Sequence, residues 1–227
     1  MQKHILSLDH KTISVYPAEQ ADSPLLLTFL SQAESDELAA STGRHITLVS
    51  IDEPQWERAF TPWAAPAAFK KAPDFSGGAD DYLTWLTNSV LPEVLQTYAL
   101  QPQWYGLAGY SLGGLFAAYA AYQNTPFTRF ASVSGSLWFD GWAEFITRNH
   151  LQTLPHQAYF SVGDKEKNSK NPRMAVVETH TLATQQNWQE QGVHCIFELN
   201  NGGHFEQVPQ RMAKAIAYLS TNATENI

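Results

Sequence analysis

The sequence predicts an α/β fold: a mostly parallel central sheet with helices on both faces. Three observations lead there. Short apolar runs alternate with helical, amphipathic stretches along most of the chain, the pattern of repeated strand–helix units. Several of the apolar runs are nearly continuous rather than alternating, as residues 24–30 (PLLLTFL) show, which suits strands covered on both faces. With 227 residues, 44% of them hydrophobic, the chain can bury the core that such a sheet needs within one domain, residues 1–227. Right-handed crossovers then bring reactive groups to the carboxyl ends of the strands.

The elements follow in order. Residues 3–8 (KHILSL) and 12–17 (TISVYP) alternate as short strands and predict an edge hairpin. Residues 24–30 form the first buried strand. Residues 31–42 (SQAESDELAAST) are helical and acidic, with Gly43 as the stop, and 45–51 (HITLVSI) are the next strand. Residues 52–78, rich in proline and aromatics, read as a functional loop or lid. Residues 79–100 form an amphipathic helix on Leu83, Leu86, Val90 and Val94, with Pro92 expected to kink it. A strand at 104–110 leads into a helix at 111–123. A strand within 129–139 runs into a loop, and 141–151 form a short helix. After a strand at 158–164, one long helix covers 171–192, with Pro172 in its first turn. A strand at 193–199 and a helix at 206–219 complete the pattern.

Charge and composition exclude several functions. The formal net charge of −8 argues against nucleic acid or an anionic membrane as partner, since both reward a basic face. No apolar run approaches the ~20 residues of a membrane span. The first residues lack the apolar block of a signal peptide, so a cytoplasmic location is the expectation. Cys195 is the single cysteine and falls within a strand, so it reads as a small core residue, and no internal disulfide can form. The histidines do not cluster at ligand spacing and no Walker-type loop occurs; no metal and no cofactor are expected. The oligomeric state is left open.

The strand–helix junction at 109–113 carries the chemistry. Gly109-Tyr110-Ser111-Leu112-Gly113 fits Gly-x-Ser-x-Gly, in which a sharp turn lifts a serine hydroxyl off the end of the sheet. The flanking glycines are expected because side chains there would crowd the turn. Helix N–H groups beginning at Leu112 would face developing negative charge. The competing assignment is an ordinary N-cap serine. A nucleophilic serine needs a base, and His204 stands just after the last strand, in a glycine-rich loop. The turn after the strand at 158–164 supplies two carboxylates, Asp164 and Glu166, either of which could orient the imidazole. Aromatic residues in the loops, Trp138 among them, could line an acyl or aryl pocket, and Arg58 could pair a substrate carboxylate.

Taken together, "PLLLTFL", "FTPW", "GYSLGG", "SGSLWF", "SVGDKE" and "GGHF" resemble the putative esterase family of α/β-hydrolases, over most of the chain. That family includes siderophore (enterochelin-type) esterases, S-formylglutathione hydrolase and feruloyl esterases. The resemblance implies an α/β-hydrolase fold and a small-molecule ester substrate. It implies Ser111 as nucleophile, His204 as base and Glu166 as acid, the last on a Gly-x-x-acid spacing from Gly163. It implies backbone oxyanion donors at Leu112 and, where the family has Asp-Gly, at Gln32. Where the family often shows Arg-x-Arg-Asp before Thr-Pro, this chain keeps only Arg58. A thioesterase or acyltransferase on the same triad, or a relative that binds without turnover, are the alternatives.

Overall fold

The computed structural model describes residues 2–221. Eight strands form one sheet: β1 (His4–Leu8), β2 (Lys11–Tyr16), β3 (Leu25–Thr28), β4 (Thr47–Asp52), β5 (Tyr105–Tyr110), β6 (Phe127–Val133), β7 (Gln157–Gly163) and β8 (Cys195–Asn200). Their spatial order is β1-β2-β4-β3-β5-β6-β7-β8. β1 and β2 make the expected antiparallel hairpin, and β2 runs antiparallel to β4. From β4 to β8 every neighbouring pair is parallel.

The continuous apolar runs are explained by the pleat. Leu25 and Leu27 pack into the core on one face, with Val49, Leu107 and Phe130, while Leu26 packs on the other with Leu48, Ala108 and Ala131. All three leucines are fully buried, each stabilising the fold by about 1.5–3 kcal/mol. Helices α1 (Gln32–Ser41) and α9 (Val208–Ser220) cover the Leu26 face. The opposite face is covered by α3 (Ala79–Trp85), α4 (Leu91–Thr97), α5 (Leu112–Ala120), α6 (Trp142–Arg148) and α8 (Val177–Glu190).

Local chemistry sets the helix ends. Ser31 and Glu34 form a reciprocal capping box at the start of α1, and Gly43, at φ 73°, follows its end. The single helix expected over 79–100 is instead α3 and α4 joined by a five-residue π turn, Leu86–Val90. Pro92 lacks the N–H that would bond four residues back, and the wider turn sits where that bond would be missing. The helix expected over 171–192 is also divided. A four-residue α7 (Pro172–Ala175), capped by the Asn171 side chain, meets α8 at Val176, whose ψ of 1° leaves the helical range. Residues 52–78 hold a short α2 (Trp56–Ala59) and a two-residue bridge between Ala64–Ala65 and Phe75–Ser76.

Candidate active site

The carboxyl ends of β5, β7 and β8 lie on one edge of the sheet, and each delivers one chemical group. Ser111 joins β5 to α5 with φ 55° and ψ −123°, a conformation that costs a non-glycine residue about 1–3 kcal/mol. Close packing enforces it. A Cβ on Gly109 would stand 2.0 Å from the Gly113 carbonyl oxygen, and one on Gly114 would stand 2.8 Å from Gly135 Cα. Gly113 differs from the expectation: its Cβ would meet the Phe29 ring at an ordinary 3.4 Å, so the turn does not require glycine there. The Ser111 side chain makes no capping bond to α5, which removes the N-cap assignment.

Ser111 Oγ instead lies 3.0 Å from His204 Nε2, and His204 Nδ1 lies 2.7 Å from Glu166 Oε2. The other Glu166 oxygen accepts from the Gly163 N–H at 2.7 Å and lies 3.4 Å from Arg211 Nη1. Burial pushes the Glu166 carboxyl up, but bonds from His204, the Gly163 N–H and Ser134, with the charge of His204, outweigh it and hold the group below its ordinary value. Between the two carboxylates left open by the sequence, the geometry separates the tasks. Asp164 turns away from the imidazole, and its Oδ1 accepts from the Gly202 N–H at 2.8 Å, bracing the loop that carries His204.

Two cavities meet at this serine–histidine pair. One, of about 440 Å³, is walled mainly by apolar side chains, including Trp138, Phe75, Met174 and Val177. The other, of about 430 Å³, runs past Phe29, Leu30 and Ser31 and includes the carboxylates Glu34, Asp52 and Glu53. Trp138 therefore stands where the sequence analysis put it. Arg58 does not: it lies in a separate depression with Asp9, Glu53 and Asp81, and reaches neither cavity. The one lysine or arginine lining either cavity, among the described residues, is Lys165.

Leu112 lines both cavities as the first residue of α5, where a backbone N–H has no helical acceptor. Gln32 is exposed in the first turn of α1 and outside both cavities. Leu30 and Ser31 line the second cavity in its place. The Ser31 N–H is taken by Glu34 Oε2 at 3.1 Å, while the Leu30 N–H has no hydrogen-bond partner among the described residues. Sequence reasoning also passed over Ser136, which is buried with its Oγ 3.4 Å from Ser111 Oγ, and Arg211. Arg211 did leave a signal: it falls on the buried stripe of α9 with Met212, Ala215 and Leu219. Cys195 is a core residue, its thiol pushed up to about 12 by burial.

Comparison with known proteins bears on the fold and the family. Uncharacterized protein YbbA of Bacillus subtilis (strain 168) is 28% identical over 169 residues, spanning 72% of this chain and 68% of that protein. Siderophore hydrolase EstA from Aspergillus nidulans has a similar structure, with a TM-score of 0.76 at 17% identity over 96% of this chain and 93% of that one. The enterobactin and salmochelin hydrolase IroE is similar with a TM-score of 0.70 at 19% identity, over 96% and 94%. Those two likenesses carry the fold. The sequence model of the family described as "Putative esterase" matches residues 28–208. Because that match spans well over half of its length, the chain belongs to this family and is a carboxylic ester hydrolase on the α/β-hydrolase fold.

Proposed function

We propose that this protein hydrolyses a small carboxylic ester with an uncharged, largely apolar acyl group, through an acyl-enzyme on Ser111. The observation that carries the reading is the run Glu166–His204–Ser111, at 2.7 and 3.0 Å, opening into the apolar cavity. Ser111 Oγ attacks the carbonyl carbon while His204 Nε2 takes its proton. The oxygen gains the charge and is held by the Leu112 N–H and, in place of Gln32, by the Leu30 N–H. Glu166 keeps the imidazole oriented and balances its positive charge. Collapse breaks the ester C–O bond, and the alkoxide leaves with the proton from His204. Water then repeats the sequence, forming the acid and freeing Ser111.

The acyl group would occupy the cavity at Trp138, and the alcohol the one beside Leu30. EstA and IroE are named for siderophore substrates. Lys165 is a thin complement of positive charge for a catecholate, which favours a neutral ester. Steady-state rates on aryl esters of graded acyl length, a thioester and a catecholate trilactone test this. Highest kcat/KM on a neutral apolar ester is expected; a trilactone preferred over all of them would overturn the substrate class. Transfer of the acyl group to an added alcohol in preference to water would assign a transferase. A cytoplasmic location belongs to the same proposal, and cell fractionation checks it.

A further inference from the structure

We infer that Arg211, on α9 and outside both cavities, is a positioning residue that fixes the acid–base pair of the reaction through Glu166 and Tyr110. The inference rests on the triad assignment proposed above. Arg211 is 1% exposed, a full charge inside the protein, where an uncompensated ion is strongly destabilising. Its partners explain why it is there. Nη1 donates to Tyr110 Oη at 3.2 Å and Ser134 Oγ at 3.1 Å and lies 3.4 Å from Glu166 Oε1, and Nη2 donates to the Asn201 carbonyl at 2.9 Å. Tyr110 Oη passes the link on, donating to the His204 carbonyl at 2.6 Å.

One guanidinium therefore ties together three chain segments that must keep register. Tyr110 precedes the nucleophile, Glu166 is the acid, and Asn201 and His204 belong to the loop of the base. The planar fork suits this, because its donors are fixed relative to one another. Arg211 and the Gly163 N–H occupy Glu166 Oε1, leaving Oε2 for His204 Nδ1. The cation, 3.4 Å from Oε1, offsets part of the negative charge that Glu166 buries.

Replacing Arg211 by methionine keeps much of the volume and removes the charge. R211M is expected to lower kcat about 10- to 100-fold, the range seen when outer partners of a reacting centre are removed, with KM within about twofold. The low-field proton resonance of the His204–Glu166 hydrogen bond should weaken or vanish. R211K retains the charge without the fork. It should recover part of kcat and of the low-field resonance, which repair of packing alone would not do. R211M folded by circular dichroism, with wild-type kcat and an unchanged low-field resonance, would overturn the inference. If R211M does not fold, Y110F decides: it preserves the ring and cuts one link, and about a fivefold or greater loss of kcat at unchanged KM is expected. Wild-type kcat in Y110F would overturn the inference. Phosphonylation of Ser111 in the wild-type protein separates this failure from failure of the triad itself.

Discussion

At the scale of the residue, a strained backbone coincides with the proposed nucleophile at Ser111. Its positive φ is held by the close approach of Gly109 to the first turn of α5, and its hydroxyl is left for His204 rather than for helix capping. Ser111→Ala or His204→Ala should lower kcat by about four to six powers of ten while the melting temperature stays within a few degrees. The two carboxylates should separate cleanly. Glu166→Gln loses the charge that balances the imidazolium and should cost about two to four powers of ten in kcat. Asp164→Asn weakens one brace on the 201–204 loop, and should cost less than about tenfold in kcat and about 1 kcal/mol in stability. Equal losses in both variants, measured by steady-state kinetics, would contradict the division of roles. These positions were legible because chain order and turn chemistry announce them. Arg58 was not legible as a residue outside the site. In a four-residue helix each side chain turns about 100° from the last. Trp56 and Glu57 therefore line the apolar cavity while Arg58 faces the opposite depression. Gln32 fell outside for a related reason: the helix read from residue 31 is capped by Ser31, which leaves Gln32 exposed in its first turn and Leu30 lining the cavity.

At the scale of the element, the turn between β5 and α5 is the least replaceable part. Gly109→Ala would drive a methyl into the Gly113 carbonyl and should abolish soluble, folded protein or its activity. Gly113→Ala adds a methyl at ordinary contact distance from Phe29 and should keep the fold, with a stability gain of up to about 1 kcal/mol from helix propensity. Thermal melts of the two variants side by side check this. Residues 52–78, expected to be a functional loop or lid, supply cavity walls at Trp56, Ala68, Phe69 and Phe75. They are also pinned. Arg173 donates to the Pro66 and Ala67 carbonyls and pairs with Asp140, and the Asn171 side chain donates to the Ala68 carbonyl. Arg173→Ala should loosen this wall and raise KM about three- to tenfold, with kcat little changed, in the same ester assay. Strands and most helices were readable from period and punctuation. The two splits were not. Pro92 marked the place of the first, but not that a π turn would take up the missing bond, and nothing in the local pattern marked the break at Val176.

At the scale of the whole molecule, strand order does what no single motif can. It places β5, β7 and β8, far apart in sequence, so that side chains just past their carboxyl ends meet within hydrogen-bonding distance. The same assembly links stability to pH. The Glu166 carboxyl is held below its ordinary value of 4.5 in the folded protein. Its contribution to stability is therefore complete above that value and is lost as the pH falls below it, because the unfolded chain then binds the proton more readily. The melting temperature of wild type should fall on acidification through this range, and its difference from Glu166→Gln should narrow. A gap independent of pH would show that Glu166 adds no charge-dependent stability.

The proposed mechanism stands on Ser111 as the nucleophile, activated by His204. Its most direct measurement is covalent labelling with a fluorophosphonate followed by peptide mapping in a mass spectrometer. One adduct is expected, on Ser111, formed in step with loss of esterase activity and much more slowly in His204→Ala. Folded, active protein that carries no adduct at Ser111, or carries it on another residue, would contradict it.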